Sequence, residues 1–280
     1  MRAAEPSQTA VGVAVARATL DRPSTPAGDP RAEDALAASL LEDASEATRA
    51  MVERARPGGD GYAADEWAGF WAFLHARTAF FDEAVVRAIA DGVTQVVICG
   101  AGYDGRSFRF RTPGVRFFEV DHPATQADKR ARIERLGLAT DGITFVPVDL
   151  TEPGLADALD RAGHARAERS VFVVEGLVRY LPEPWYRMLL DVLVAQAAPG
   201  SDIAASFPTQ NPDEAEDVAE ARREHERGLA ESGEDVLTVP DRSVLLGWLA
   251  DAGWTIDSLV DVSEVHPEAV PGLLLVHASP

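Results

Sequence analysis

The sequence predicts an α/β protein built on a central, mostly parallel sheet with helices on both faces. Three observations carry that expectation. From Gly92 onward, short β-branched runs alternate with helix-patterned segments. Those runs are continuously apolar, as strands buried on both faces must be. The first run ends in a glycine-rich turn of the strand-to-helix type.

Taken in order, residues 1–91 read as an N-terminal helical cap or lid. Ala10 to Leu20 (AVGVAVARATL) has a helical pattern, and RPSTPAGDP after it is a loop by its proline and glycine content. A helix is expected from Arg31 to Arg56, broken by RPGGDG (Arg56 to Gly61). A second helical block runs from Asp65 to about Ala90. Within it Trp67, Phe70, Trp71 and Leu74 repeat at the helical spacing of a buried face.

Residues 92–280 read as the Rossmann-like domain. The expected parallel strands are Thr94 to Cys99, Val115 to Val120, Ile143 to Val148, Ser170 to Glu175 and Asp202 to Phe207. Helices are expected near Arg106, over Ala124 to Leu136, Leu155 to Ala162 and Pro184 to Ala198. An acidic, helix-prone insertion at about 211–234 follows, as a solvated face or a lid. Then comes a helix with Asp241 as its N-cap. TIDSLVDV and GLLLVHA close the chain as an antiparallel pair at the sheet edge, which makes seven strands.

Composition narrows the function. The chain has 280 residues, 26 basic against 46 acidic, for a net charge of −20. That charge repels phosphate backbones and anionic membrane surfaces, so neither nucleic acid nor membrane is an expected partner. No apolar run approaches the roughly 20 residues of a membrane span. The run Ala10 to Ala16 is stopped by Arg17, a poor signal peptide. Cys99 is the only cysteine, which excludes an internal disulfide and fits a cytoplasmic location. Lys129 is the only lysine, and the arginine excess reads as codon bias. The composition leaves oligomeric state open, a homodimer included.

The chemistry begins at GAGYDG. Gly100, Gly102 and Gly105 match G-x-G-x-x-G, which permits a tight turn and a close approach of backbone N–H groups to a ligand. Asp121 stands 21 residues beyond Gly100, at the end of the second run, where a carboxylate can accept from a ribose diol. The third run ends at Asp149 and the fourth at Glu175. Three acids at neighbouring strand ends would repel a pyrophosphate and suit a ligand bearing a ribose, an ammonium and a sulfonium. That favours S-adenosylmethionine over a nicotinamide dinucleotide. Each acid alone also fits a helix N-cap, Asp149 most of all.

Six segments in order resemble the leucine carboxyl methyltransferase superfamily, most closely its bacterial O-methyltransferase branch of the polyketide-tailoring type. They are Thr9 to Ala18, Ala76 to Val85, GAGYDGRSFRF, Phe117 to Pro123, Val146 to Leu150 and EGLVRYLP (Glu175 to Pro182). The resemblance implies a class I methyltransferase fold and S-adenosyl-L-methionine as cofactor. It implies that Arg77 pairs with the methionine carboxylate and that Gly100 and Gly102 let the backbone pass the cofactor. Asp121 would hold the ribose, with His122 beside it. Asp149 and Leu150 would meet the adenine, and Glu175 the ammonium. Arg17 would help close the N-terminal segment over the site. Two positions depart from the family pattern: Gly105 replaces a usual Thr or Ser, and Arg179 a residue that is often apolar.

Arg179 is a candidate to clamp an acceptor carboxylate by a two-pronged bond. Tyr180 and His75 are further candidates for the acceptor pocket. The histidines show no metal-ligand spacing, so no metal is expected. No His–Asp pair suggests itself as a base, which tilts the acceptor toward a carboxylate and away from a phenol. The expected activity is O-methylation of a small secondary metabolite. Two alternatives stand: a nicotinamide-dependent oxidoreductase, and a relative using the same cofactor for a non-methylating displacement such as cyclisation.

Overall fold

The computed structural model describes residues 7–18, 20, 22–44, 49, 64–209, 223, 227 and 236–280. The RPGGDG break and, apart from Arg223 and Arg227, the acidic insertion lie outside them, as do the side chains of Trp67 and Phe70.

The first two helices are α1 (Gln8–Arg17) and α2 (Pro30–Asp43). Ser7 caps α1 by accepting from Ala10 N–H, and Asp29 caps α2 from Arg31 N–H. The helix expected from Arg31 to Arg56 stops at Asp43, because Ala44 is extended (φ −67°, ψ 152°). The physical reason is charge: Glu42 and Asp43 face the negative end of the helix dipole with no base in the last turn. Arg132 supplies the missing cation from outside. Its Nη1 lies 2.8 Å from Asp43 Oδ2 and donates to the Ser39 carbonyl.

The long helix α3 (Ala64–Ala90) leads into β1 (Gln95–Cys99), α4 (Arg106–Arg109), β2 (Arg116–Asp121) and α5 (Pro123–Leu136). Next come β3 (Ile143–Pro147), α6 (Leu155–Arg161), β4 (Ser170–Val174), a 3₁₀ turn (Val178–Tyr180), α7 (Glu183–Gln196) and β5 (Asp202–Pro208). The chain closes with α8 (Arg242–Ala252), β6 (Thr255–Asp261), α9 (Val262–Val265) and β7 (Leu273–Ser279). Asp241 occupies the N-cap position of α8, but its side chain makes no capping bond.

All seven strands form one sheet in the order β3-β2-β1-β4-β5-β7-β6. Five are parallel, and β7 inserts antiparallel between β5 and the edge strand β6. The two-residue period of β1 divides the core. Val97 and Cys99 face the cluster closed by α6, α7 and α8, whereas Val96 and Ile98 face α3. The order reverses at β1, where neighbours diverge to β2 and β4. In an open α/β sheet, a ligand crevice forms outside the carboxyl ends at that point. Helices α1 and α2 lie over it: Val11, Ala14, Val15, Leu36 and Leu40 pack on Tyr103 of the turn after β1.

Candidate active site

Strand order alone brings Asp149, Asp121, the glycine turn and Glu175 to one edge, because β3, β2, β1 and β4 are consecutive neighbours. Asp121 is fixed by backbone donors. Its Oδ2 accepts from Gly102 N–H at 2.5 Å and its Oδ1 from His122 N–H at 2.6 Å. Burial pushes its pKa up, and these two N–H groups pull it back. Each oxygen keeps one further lone pair for a ligand.

The glycines serve the protein's own packing as well as the turn. Gly100 (φ +69°) and Gly102 (φ +49°) use left-handed backbone that favours glycine. A Cβ on Gly102 would come within 2.9 Å of Ala10 on α1, and one on Gly105 would overlap the Glu33 side chain. This explains the family departure at Gly105: α2 inserts Glu33 where a larger residue would stand.

Glu175 is not a free strand-end acid. Arg77 Nε lies 2.8 Å from its Oε1, Arg106 Nη1 lies 2.7 Å from its Oε2, and Arg17 Nη2 sits against Oε1. The argument from three like acids therefore needs correction, since three guanidiniums offset Glu175. The pairing continues inward. Arg106 also holds Asp104 (2.6 Å) and Asp82 (2.7 Å), Arg109 holds Asp82 (2.9 Å) and Glu33 (2.5 Å), and Arg22 holds Glu33 (2.5 Å). The chain of contacts ties α1, α2 and α3 to the glycine turn and β4. Burial alone would raise the Glu175 pKa, but Arg17, Arg106 and Arg77 hold it at about 2. A depressed carboxyl stabilises the fold above its unfolded pKa, and that stability is lost as pH falls toward 2. Glu175→Gln should thus cost stability at pH 6, with the deficit closing as pH falls from about 4.5 toward 2. Paired thermal melts across that range check it; a deficit independent of pH would reject the role.

The remaining predicted residues fall as follows. Asp149 does not cap a helix. Its Oδ1 accepts from Thr151 N–H (2.8 Å) and Thr151 Oγ1 (2.6 Å), while Oδ2 lies 3.8 Å from His122 Nε2. Burial would raise its pKa, and the Thr151 bonds and His122 lower it overall. The sequence showed no His–Asp pair, yet the fold sets these two side by side. His122 Nδ1 accepts from Ala124 N–H at 3.2 Å, so the proton belongs on Nε2, toward Asp149. Leu150 is half-buried against the core. Arg179 and Tyr180 lie in the 3₁₀ turn after Glu175, and the Arg179 Nε is buried without a hydrogen-bond partner among the described residues. His75 is not with them. It lies about 200° around α3 from Arg77, exposed, with its ring 6.2 Å from that of His266. Cys99 at the end of β1 is buried, and that pushes its thiol to about 12.

Sequence reasoning missed Asp82, Asp104, Arg106 and Arg109. For Asp104, Arg106 and Arg109 the one signal was the run of charges DGRSFR, and Asp82 stands apart from it in FFDEAV. An open cleft of about 670 Å³ lies at the other end of the sheet, around Thr94, Arg116 and Glu168. Arg116 and Glu168 pair with each other at 3.1 Å, and the cleft lies on the wrong side of the sheet for a strand-end ligand.

Comparison with known proteins fits this geometry. Residues 10–194 match the model of the leucine carboxyl methyltransferase family. A protein of Mycobacteroides abscessus assigned to the S-adenosyl-L-methionine-dependent methyltransferases is 32% identical over 290 residues, covering 95% of this chain and 88% of its own. One of Frankia alni with the same assignment is 36% identical over 255 residues, covering 89% and 82%. A crystal structure from Thermobifida fusca, assigned as a methyltransferase, has a TM-score of 0.59 at 17% identity and covers 91% of this chain and 94% of that one. These likenesses overturn the nicotinamide alternative. The chain belongs to the leucine carboxyl methyltransferase family of enzymes that use S-adenosylmethionine.

Proposed function

We propose that the protein methylates a carboxylate oxygen of a small secondary-metabolite acceptor, of the kind handled by polyketide-tailoring relatives, with Arg179 holding the acceptor. The observation that carries this reading is the Arg179 Nε, buried and without a hydrogen-bond partner among the described residues. A buried donor left unpaired costs about 1–3 kcal/mol, a cost that an anionic ligand would remove.

The chain's residues fit the cofactor by their donor and acceptor chemistry. Arg77 Nε and Glu175 Oε1 lie 2.8 Å apart, yet both are buried and neither makes an aligned hydrogen bond. A zwitterionic amino-acid end satisfies both, its carboxylate on Arg77 and its ammonium on Glu175. Asp121 has lone pairs for a ribose diol, with Gly100, Gly102 and His122 around it. Asp149 Oδ2 and Leu150 offer the polar and apolar sides of an adenine site. When bound, S-adenosylmethionine supplies a methyl on a sulfonium, which a carboxylate oxygen takes by in-line displacement.

A carboxylate, with a reference pKa near ~4, arrives ionised and needs no base. A phenol would need one. His122 is poorly placed for that task, because Nδ1 is engaged by Ala124 N–H and Nε2–H faces Asp149. The work left to the protein is alignment and exclusion of water. Helices α1 and α2 with Tyr180 bound the acceptor side of the crevice, and His75 stays outside it. Helices α1 and α2 act as cap, and α3, which packs on one face of the sheet, belongs with the cofactor domain rather than with the cap expected over 1–91.

The test offers methyl-labelled cofactor with matched carboxylic acids and phenols. The expected product is a base-labile ester, and Arg179→Leu should raise the acceptor KM by about 10- to 100-fold with S-adenosylhomocysteine affinity unchanged. A base-stable ether, or label recovered only in methylthioadenosine released by cyclisation of the cofactor, would refute it.

A further inference from the structure

Asp202 on β5, Asp257 on β6 and His277 on β7 meet at the end of the sheet away from the cofactor crevice. Their positions in the chain show no ligand spacing, so the expectation of no metal could not have detected them. The pairing explains how they meet. His277 is opposite Ala204 in the β5–β7 ladder, and Asp202 stands two residues from Ala204, hence on the same face. The β6–β7 register jumps from Ile256↔Ala278 to Ser258↔His277, which leaves Asp257 as the extra residue of a bulge. Such a bulge re-aims its side chain toward the single residue opposite. Asp257 Oδ2 accordingly lies 3.8 Å from His277 Nδ1, and one donor atom from each of the three residues lies within 4.8 Å of the others.

The charges around them are unbalanced. Among the described residues, neither carboxylate has an arginine or lysine within salt-bridge distance. Asp257 Oδ1 accepts only a long 3.4 Å contact from Ser279 Oγ. Arg87 and Arg169 act on the cluster from farther off, and Arg169 is committed to the carbonyls of Gly200 (2.7 Å) and Asp91 (2.9 Å).

We propose that Asp202, Asp257 and His277 form a divalent-cation site of the zinc type that clips the C-terminal hairpin to β5. One imidazole nitrogen with two carboxylate oxygens is a donor set that Zn²⁺ accepts, water completing the shell. Bonds of about 2.0–2.1 Å place tetrahedral donors roughly 3.3 Å apart. Rotation of the half-exposed Asp257 closes the difference. The ion would cross-link β5, β7 and the edge strand β6, and it has no part in methyl transfer.

The test titrates the untagged full-length chain, stripped of metal by chelator, with zinc sulfate in a calorimeter and in thermal melts. One-to-one binding with a raised melting temperature is expected. His277→Gln should abolish both, and the exposed change Asp257→Asn should weaken binding by tenfold or more. His266→Ala, which removes the half-buried partner of His75, should leave zinc binding intact, and S-adenosylhomocysteine affinity should be the same throughout. The proposal is overturned if the wild-type chain shows neither heat nor thermal shift. It also fails if folded Asp257→Asn and His277→Gln bind zinc as tightly as wild type, or if His266→Ala abolishes binding.

Discussion

Replacing Asp121 with alanine should lower the affinity for S-adenosylhomocysteine by about a hundredfold or more. Hydrogen bonds to a charged acceptor contribute about 1.5–3 kcal/mol each, and a ribose diol makes two. The sum of about 3 kcal/mol at the low end is already two orders of magnitude in Kd. A second effect adds to it. The same carboxylate accepts from Gly102 N–H and His122 N–H, so the truncation also orphans one donor in the glycine turn and one at the start of α5. Asp121→Asn separates the two contributions. Its carbonyl keeps one of those bonds, but its NH₂ meets the other N–H donor-to-donor, so it should lie between wild type and alanine. Calorimetry with S-adenosylhomocysteine on folded protein checks the order. Equal affinity across the three proteins would refute the ribose role.

Much of the fold is legible because its signals are local. The strands begin and end within one or two residues of the apolar runs, since a strand buried on both faces is mostly apolar along its length, Glu119 of β2 being admitted only with Lys129 as its partner. Asp121 is legible for the same reason: it is the charge on which the apolar run of β2 ends. The end of α2 is not, because it depends on Arg132, almost ninety residues onward. The electrostatics of the crevice are hidden in the same way. Glu175 is easy to find as an acid in an apolar run. Nothing near it in sequence tells that Arg17, Arg77 and Arg106 will surround it, or that Arg106 will also be held by Asp82 and Asp104. Periodicity reports which face is buried, but not which buried charges meet. The bulge that turns Asp257 toward His277 is a further case, since one inserted residue in a ladder has no local signature.

Lys129→Met should destabilise the protein by about 3–5 kcal/mol, the usual cost of breaking a buried ion pair from one side. The melting temperature would fall by roughly 6–10 °C. The only lysine of the chain is no accident of codon usage: its ammonium is fully buried beside an equally buried Glu119. Nζ donates to Glu119 Oε2 at 2.5 Å and to the Asp104 carbonyl at 2.8 Å. Ser107 Oγ donates to the other Glu119 oxygen at 2.5 Å. A compact ammonium fits a space bounded by β2, α5 and the glycine turn, which the wider guanidinium fork would overfill. Lys129→Arg should therefore also destabilise, despite keeping the charge. Burial raises the Glu119 pKa, and Lys129 opposes that rise. Without the lysine the rise is larger, and a carboxyl with a raised folded pKa loses stability as pH climbs through it. The deficit of Lys129→Met should thus be smaller at pH 5 than at pH 8. Adding Glu119→Gln should recover part of it, because the buried charge is then gone from both sides. Melts of the four proteins at both pH values decide the matter: a deficit that neither shrinks at pH 5 nor responds to Glu119→Gln would show that Lys129 acts by volume alone.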